Sequence, residues 1–211
     1  MGLTDRGIEL LQAKRTAGTG TQLDVQGNVL HENRLIVPEF RIGDTTFRDV
    51  TAGRQEIVPY HLRGVYGHIG RGLLTHFRVE LDLPHGRMWL WPPAASGAPD
   101  DHCQGKVVPV LSERHGVLTR VATDYGVLLM LWDDGAPFNI IHPEVLQPRV
   151  GSSEHVTTHR FVLNGTNFGP QELYPMKFSQ PPDIAGFIGY DFLAKHDVCF
   201  DLPGRRVVIR E

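Results

Sequence analysis

Two stretches decide the fold: Gly67–Pro84, which reads GHIGRGLLTHFRVELDLP, and Gly186–Pro203, which reads GFIGYDFLAKHDVCFDLP. Laid side by side they pair Gly67 with Gly186, Ile69 with Ile188, Gly70 with Gly189, Leu74 with Leu193, Asp82 with Asp201 and Pro84 with Pro203, all at one offset (186 − 67 = 119). An internal repeat governs the reading of everything else, because each local element has to fit the architecture that the repeat sets. A shorter match lies upstream in each half, Phe40–Phe47 (FRIGDTTF) against Phe161–Phe168 (FVLNGTNF), at an offset of 121 (161 − 40). Both are expected to be hairpins. Each is an aromatic and β-branched run broken at Gly-Asp or Asn-Gly, dipeptides that tolerate the positive φ of a two-residue turn.

The surrounding pattern is mostly strand with short helices. Arg78–Leu83 alternates polar and apolar residues, turns at His85-Gly86-Arg87 and continues through Met88–Trp91, which predicts a hairpin with one buried face. The second copy does the same from Val198–Leu202 through Pro203-Gly204-Arg205 into Arg206–Ile209. Arg71–His76 and Gly7–Lys14 are long enough for about two turns of helix each, the latter entered by Thr4 or Asp5 as N-cap. Around Pro92–Asp101 the chain is rich in Pro, Ala, Gly and Asp, the composition of a linker. The expected organisation is an N-terminal lobe at 1–92, a linker at 93–103 and a C-terminal lobe at 104–211.

Composition excludes several classes. With 41% hydrophobic and 21% charged residues the chain is of globular type, and a formal charge of −3 with no Lys/Arg run gives no electrostatic basis for nucleic-acid binding. No stretch approaches the roughly 20 apolar residues of a membrane span, and the N-terminus lacks a signal-peptide core, so the chain as given reads as soluble, with no membrane segment. Cys103 and Cys199 lie far apart and form no Cys-x-x-Cys pair, which points to neither zinc nor redox chemistry; Cys199, in the apolar run Val198–Phe200, reads as a buried core thiol. His155 and His159 have the spacing of metal ligands on a helix, but Val156-Thr157-Thr158 favours a strand, where side chains four apart stand too far apart for one ion. No metal and no cofactor is expected. The glycines at 64, 67, 70 and 72 precede no Lys-Ser/Thr, so close backbone packing explains them better than a phosphate cradle. Asn164-Gly165-Thr166 also satisfies the glycosylation pattern, read as coincidence in a chain without a secretory signal. Phe47, Phe161 and Phe168 read as core, or as the lining of a groove for an extended peptide.

Chemistry concentrates at one turn. The apolar run Val127–Trp132 ends in Asp133-Asp134-Gly135-Ala136-Pro137, so a buried strand delivers a carboxylate directly to a tight turn. Gly135 permits close backbone approach, and the N–H groups of Gly135 and Ala136 are placed to hydrogen-bond the Asp133 carboxylate. Asp-x-Gly by itself also marks ordinary turns.

Leu131–Ala136 resembles the hydrophobic-hydrophobic-Asp-Thr/Ser-Gly-Ala loop of retropepsin-like aspartic proteases, and Gly186–Leu193 resembles their closing Ile-Leu-Gly-Arg-Asp/Asn-Leu-Leu element. Gly67–Thr75 resembles that element more closely still. The resemblance, in particular to bacterial two-lobed members, implies a mainly β, two-lobed aspartic-protease fold (a retropepsin-like or pepsin-like closed barrel) with short helices. It implies an aspartic endopeptidase in which water is activated between two carboxylates, one from Asp133, with Asp134, Gly135 and Ala136 supporting the loop and the hairpin at Asn164, Gly165 and Thr166 as flap or groove wall. The partner implied is a peptide or protein substrate. Two departures stand out: Asp134 replaces the usual Thr or Ser, and residues 1–92 contain no Asp-Thr-Gly. Their match begins at Leu3–Leu11; with Leu3 aligned to Ile141 (141 − 3 = 138), the counterpart of Asp133 falls before Met1 (133 − 138 = −5). The missing carboxylate would then come from residues absent here or from a homodimer apposing two Asp133 loops. The alternative is a non-catalytic peptide-binding module. The family's bacterial members often carry export signals, and the sequence assigns no compartment.

Overall fold

The structure, a computed structural model, describes residues 1–23, 29–54, 64–93, 102–111, 116–146, 154–179 and 183–210. Most of the expected linker, residues 94–101, lies outside them. In chain order the elements are β1 (Gly2–Leu3), α1 (Asp5–Leu10), β2 (Lys14–Leu23), β3 (Val29–Ile42), β4 (Thr45–Arg54), β5 (Gly67–His68), α2 (Arg71–Leu74), β6 (Arg78–Asp82), β7 (Arg87–Trp91) and β8 (Lys106–Pro109). There follow β9 (Leu118–Thr123), β10 (Gly126–Trp132), β11 (Ile140–Ile141), α3 (Pro143–Leu146), β12 (Val156–Thr158), β13 (Val162–Leu163), β14 (Thr166–Asn167), β15 (Gln171–Pro175), β16 (Gly186–Ile188), α4 (Tyr190–Leu193), β17 (Asp197–Asp201) and β18 (Arg206–Arg210). The chain divides into two compact units, Met1–Thr75 and His76–Glu211.

The first unit holds one sheet in the order β2-β3-β4-β1-β5. Both hairpin turns foreseen from the repeat form. Gly43 takes φ 55° in the β3–β4 turn, and Asn164 and Gly165 take 45° and 83° in the β13–β14 turn, the left-handed pair that a type I′ turn requires. Thr4 caps α1 by accepting from the Gly7 N–H, and the helix ends at Leu10 rather than running on to Lys14, because Gln12 enters the left-handed region at φ 50° and Lys14 opens β2. Leu3, Leu35, Val37 and Ala52 form the buried cluster of this unit.

The second unit has an eight-stranded sheet, β12-β15-β11-β16-β10-β9-β13-β14, and a five-stranded one, β7-β6-β17-β18-β8. Side chains from both sheets, among them Val121, Met130, Phe161, Ile188, Val198 and Val207, make up one continuous buried core. In the five-stranded sheet β6 and β17 pair antiparallel with Glu80 opposite Cys199, its own counterpart at the offset of 119 (199 − 119 = 80). The two copies also share turn chemistry. Asp82 accepts from the His85 N–H at 3.2 Å, and Asp201 accepts from the Gly204 N–H at 3.0 Å.

Two expectations require correction. Strand β6 of the hairpin from Arg78 is buried on both faces, since Arg78, Glu80 and Asp82 are buried along with Val79 and Leu81, while β7 is exposed or half-buried. The polar face is buried because its charges are paired and the chain around the expected linker lies against them. Arg210 bonds Glu80 and Asp197, each at 2.9 Å, as well as the carbonyl oxygens of His102 and Gln104. Arg78 bonds the Pro92 carbonyl oxygen at 2.9 Å, and His102 stacks on Trp91 with ring centroids 3.9 Å apart. Burial first, and then the charge of Glu80, hold the Asp197 carboxyl above the ordinary carboxylate range against the pull of Arg210. Nor is Cys199 a free thiol: Cys103 and Cys199 form a disulfide across 96 residues of sequence. Their distance in sequence hid a pairing that brings the segment at Cys103 against β17. Replacing Cys199 by Ser, or reducing the bond, is expected to lower stability by about 2–4 kcal/mol, read as a shift in urea midpoint with and without dithiothreitol.

Candidate active site

Asp133 stands one residue beyond β10, and the alternation of the strand fixes where it points. Met130 and Trp132 enter the core, with the Trp132 ring edge-on to Phe192 and Phe200 at 5.6 Å each. Leu131 and Asp133 therefore share the opposite side. There Leu131 packs with Ala136, Ile140, Phe187 and Phe178 into a small apolar cluster. Asp133 is half-buried beside it, whereas Asp134 and Gly135 are exposed and Ala136 is buried.

The loop is tied to the closing Gly-x-Ile-Gly element by backbone. β16 runs between β10, to which it is parallel, and β11, to which it is antiparallel, so residues 133–139 bridge over its end. The Asp133 N–H donates to the Ile188 carbonyl at 3.0 Å, the Tyr190 N–H to the Ala136 carbonyl at 2.8 Å, and the Gly189 N–H to the Asn139 side chain at 3.0 Å. A Cβ on Gly189 would collide with the Phe138 and Ala136 carbonyl oxygens, and one on Gly186 with that of Ile140. Gly67 meets the Gly2 carbonyl in the same way, but an added Cβ on Gly70 or Gly72 would meet nothing within 4 Å. The close-packing account of the glycines thus holds at 67, 186 and 189. Gly189→Ala is expected to destabilise by about 2–4 kcal/mol, whereas Gly72→Ala, in open space within α2, should stabilise by roughly 0.5–1 kcal/mol. Thermal or urea unfolding of the two variants checks the contrast.

The electrostatics of Asp133 are those of a carboxyl held short of free ionisation. Desolvation raises its pKa, the Gly135 N–H, 3.0 Å from Oδ1, draws it down, and the neighbouring Asp134 charge raises it again. The Ala136 N–H, expected on the carboxylate, donates to the Asp133 carbonyl oxygen at 3.2 Å and lowers the pKa least of the four. The net direction is upward. Asp-x-Gly also occurs at Asp5-Arg6-Gly7 and Asp124-Tyr125-Gly126, and the contrast is informative. Asp5 is exposed in the first turn of α1, where a two-point bond to Arg54 (2.7 and 2.9 Å) pulls its pKa down. Asp124 sits in the β9–β10 turn and accepts from the His159 N–H at 2.6 Å.

Asp133, Asp134, Gly135 and Ala136 come together on one loop. Asn164, Gly165 and Thr166 lie elsewhere in the sheet, with β9 between their hairpin and β10, and the Asn164 side chain donates to the Val107 carbonyl of β8 at 2.8 Å. Phe161 is core, Phe47 is buried and Phe168 packs against the core. His155 and His159 flank β12; His155 meets Glu172 at 3.3 Å, and no group of three candidate metal ligands occurs among the described residues. Sequence reasoning missed Asn139, whose fully buried amide holds Gly189. Its only signal was a polar residue just ahead of the apolar pair Ile140-Ile141.

A folded carboxyl with a raised pKa holds its proton more tightly than the unfolded chain does. Stability is therefore complete below the unfolded value near about 3.9 and is lost as pH rises through the folded one. Asp133→Asn is expected to stabilise the protein at pH 7 and to leave it unchanged at about pH 3, as read from urea midpoints at the two pH values.

Compared by sequence, the chain matches no protein family and no curated protein. By structure it is similar to the aspartic proteinase from Irpex lacteus, with a TM-score of 0.58 at 11% identity over 93% of this chain and 82% of that one. The fold is that of an aspartic proteinase. The mainly β, two-lobed architecture with short helices expected from the repeat is therefore the observed one. No helix among the described residues is long and apolar enough to cross a membrane.

Proposed function

We propose that the chain is an aspartic endopeptidase of retropepsin-like type in which Asp133 supplies one carboxylate of the pair that activates water. The observation that carries this reading is the half-buried Asp133 carboxyl at the end of a core strand, bonded by the Gly135 N–H and raised in pKa by desolvation. In such a pair one carboxylate takes a proton from the attacking water while the protonated partner polarises the scissile carbonyl, and proximity of the two keeps one proton shared. Asp134 adds charge beside this pair, which raises the Asp133 pKa further. The second carboxylate comes from residues beyond these 211 or from a second copy. Asn164-Gly165-Thr166, tethered to β8, serves as a wall of the substrate groove.

The halves 1–92 and 104–211, joined by 93–103, are read as copies of one duplicated unit. Supporting this, β1 pairs parallel with β4 and antiparallel with β5, just as β11 pairs with β15 and β16. Leu3 lies opposite Gly67 and Ile141 opposite Gly186, the alignment expected from sequence. The pairing of Glu80 with Cys199 puts a local twofold axis between β6 and β17. Lobes of duplication need not coincide with units of packing, and here the β6–β7 hairpin joins the sheet of the second.

The test is cleavage of casein and a peptide library between pH 3 and 7, with pepstatin and Asp133→Asn as controls. Cleavage that pepstatin blocks and that falls by about 10²–10⁴-fold in Asp133→Asn is the expected result. Activity that survives the substitution removes Asp133 from the mechanism. Peptide binding without cleavage identifies the non-catalytic module instead, an outcome that the replacement of Thr or Ser by Asp134 specifically favours.

A further inference from the structure

Of the groups near Asp133, one has no part in the chemistry just described yet is entirely enclosed. Asn139 is fully buried, and its side chain works in two directions: Oδ1 accepts from the Gly189 N–H at 3.0 Å and Nδ2 donates to the Glu172 carbonyl at 3.4 Å. Its main-chain carbonyl accepts from the Tyr174 N–H at 2.8 Å. One residue thus joins three things: the loop it ends, the Gly189 cap of α4, and strand β15.

The chemistry of the amide explains the choice. Gly189 is the N-cap of α4, with an extended backbone and no side chain to offer. A buried N–H without a partner costs about 1–3 kcal/mol, as does a buried carbonyl. Only a side chain that accepts and donates at once satisfies both; Asp lacks the donor and Leu lacks both functions. The loop between Asp133 and Asn139 is then held at each end, by the Asp133 N–H on Ile188 and by the Asn139 amide on Gly189. Between these ends lie the Gly135 N–H that faces the carboxylate and the Ala136 carbonyl that receives Tyr190.

We propose that Asn139 is the positioning residue for Asp133: by tying Gly189 to β15 it fixes the loop that holds the carboxylate half-buried against the Gly135 N–H. This rests on the reading of Asp133 as a catalytic carboxylate, but its consequences can be measured without turnover. The tie also reaches outward. The strand residue whose carbonyl Asn139 holds, Glu172, carries a carboxylate that accepts from Thr157 at 2.8 Å and meets His155 at 3.3 Å. The other charges close in sequence to the loop and its cap are Asp134 beside Asp133 and Asp191 in the first turn of α4.

The experiment compares wild type with Asn139→Ala and Asn139→Thr, following the Asp133 carboxyl by ¹³C NMR from pH 3 to 8 and the Gly189 amide by hydrogen exchange. In the Ala variant Gly189 should exchange roughly tenfold faster or more. The Asp133 midpoint should fall by about half a pH unit or more toward the ordinary carboxylate value, because a loosened loop admits water and desolvation is the largest influence on it. Threonine, whose hydroxyl both accepts and donates, should restore part of each. In any folded variant, a Gly189 amide that has lost protection while Asp133 titrates as in wild type overturns the proposal, as does Gly189 remaining protected in Asn139→Ala. If the Ala variant does not fold, the Thr variant is read by the same criterion. Should the wild type cleave peptide, the Ala variant should lose kcat with little change in KM. Should it cleave nothing, the peptidase reading fails while the titration still decides the role of Asn139.

Discussion

The site depends on backbone lying directly on backbone where β16 passes beneath the Asp133 loop. Two strands that flank a third can be joined only by a connection that climbs over its end, and the connection here is the seven residues from Asp133 to Asn139. At that crossing any Cβ on Gly186 or Gly189 would occupy the place of a carbonyl oxygen. Glycine is thus a condition of the topology, since without the close approach the loop would lose its bonds to Ile188, Gly189 and Tyr190 together. Placement of the carboxylate and closure of the sheet are one event.

The five-stranded sheet solves a different problem. Its β6 and β17 strands carry Arg78, Glu80, Asp82, Asp197 and Asp201 on one face, a density of charge that burial would ordinarily forbid. Pairing makes it tolerable: Arg210 lies between Glu80 and Asp197, Arg206 donates to Asp201 at 2.8 Å, and Trp91 donates its indole N–H to Glu80 at 2.8 Å. Backbone carbonyls accept further guanidinium N–H groups, that of Pro92 from Arg78 and those of His102 and Gln104 from Arg210. Chain that reads in sequence as a spacer therefore contributes at both its ends to the packing of the sheet.

Much of the fold was legible because the repeat is written in residues that the backbone cannot exchange. Gly67, Gly186 and Gly189 mark close approaches, Asn164-Gly165 marks a type I′ turn, and Asp82 and Asp201 cap equivalent turns. The apolar run Val127–Trp132 announced a core strand that delivers Asp133 to a turn, though not which side the carboxylate would take. What escaped were features created by contact between distant segments. The polar positions 78, 80 and 82 alternate as an exposed face would, and nothing local signals that Arg210 arrives from far along the chain to pair with Glu80. The disulfide between Cys103 and Cys199 joins residues 96 apart in sequence, and Asn139 gains its meaning only when Gly189, 50 residues later, arrives beside it. Asp-x-Gly occurs at three places, and only the environment separates Asp133 from Asp5 and Asp124.

The disulfide has a further consequence, one of chain topology. It closes residues 103–199 into a covalent ring that contains the Asp133 loop, Asn139, β16 and α4, which is to say every part of the candidate site described above. A single backbone cut within that ring opens it without releasing a fragment. The pieces stay joined through Cys103 and Cys199, and the strand that carries Asp133 is kept within reach of the glycines that seat it.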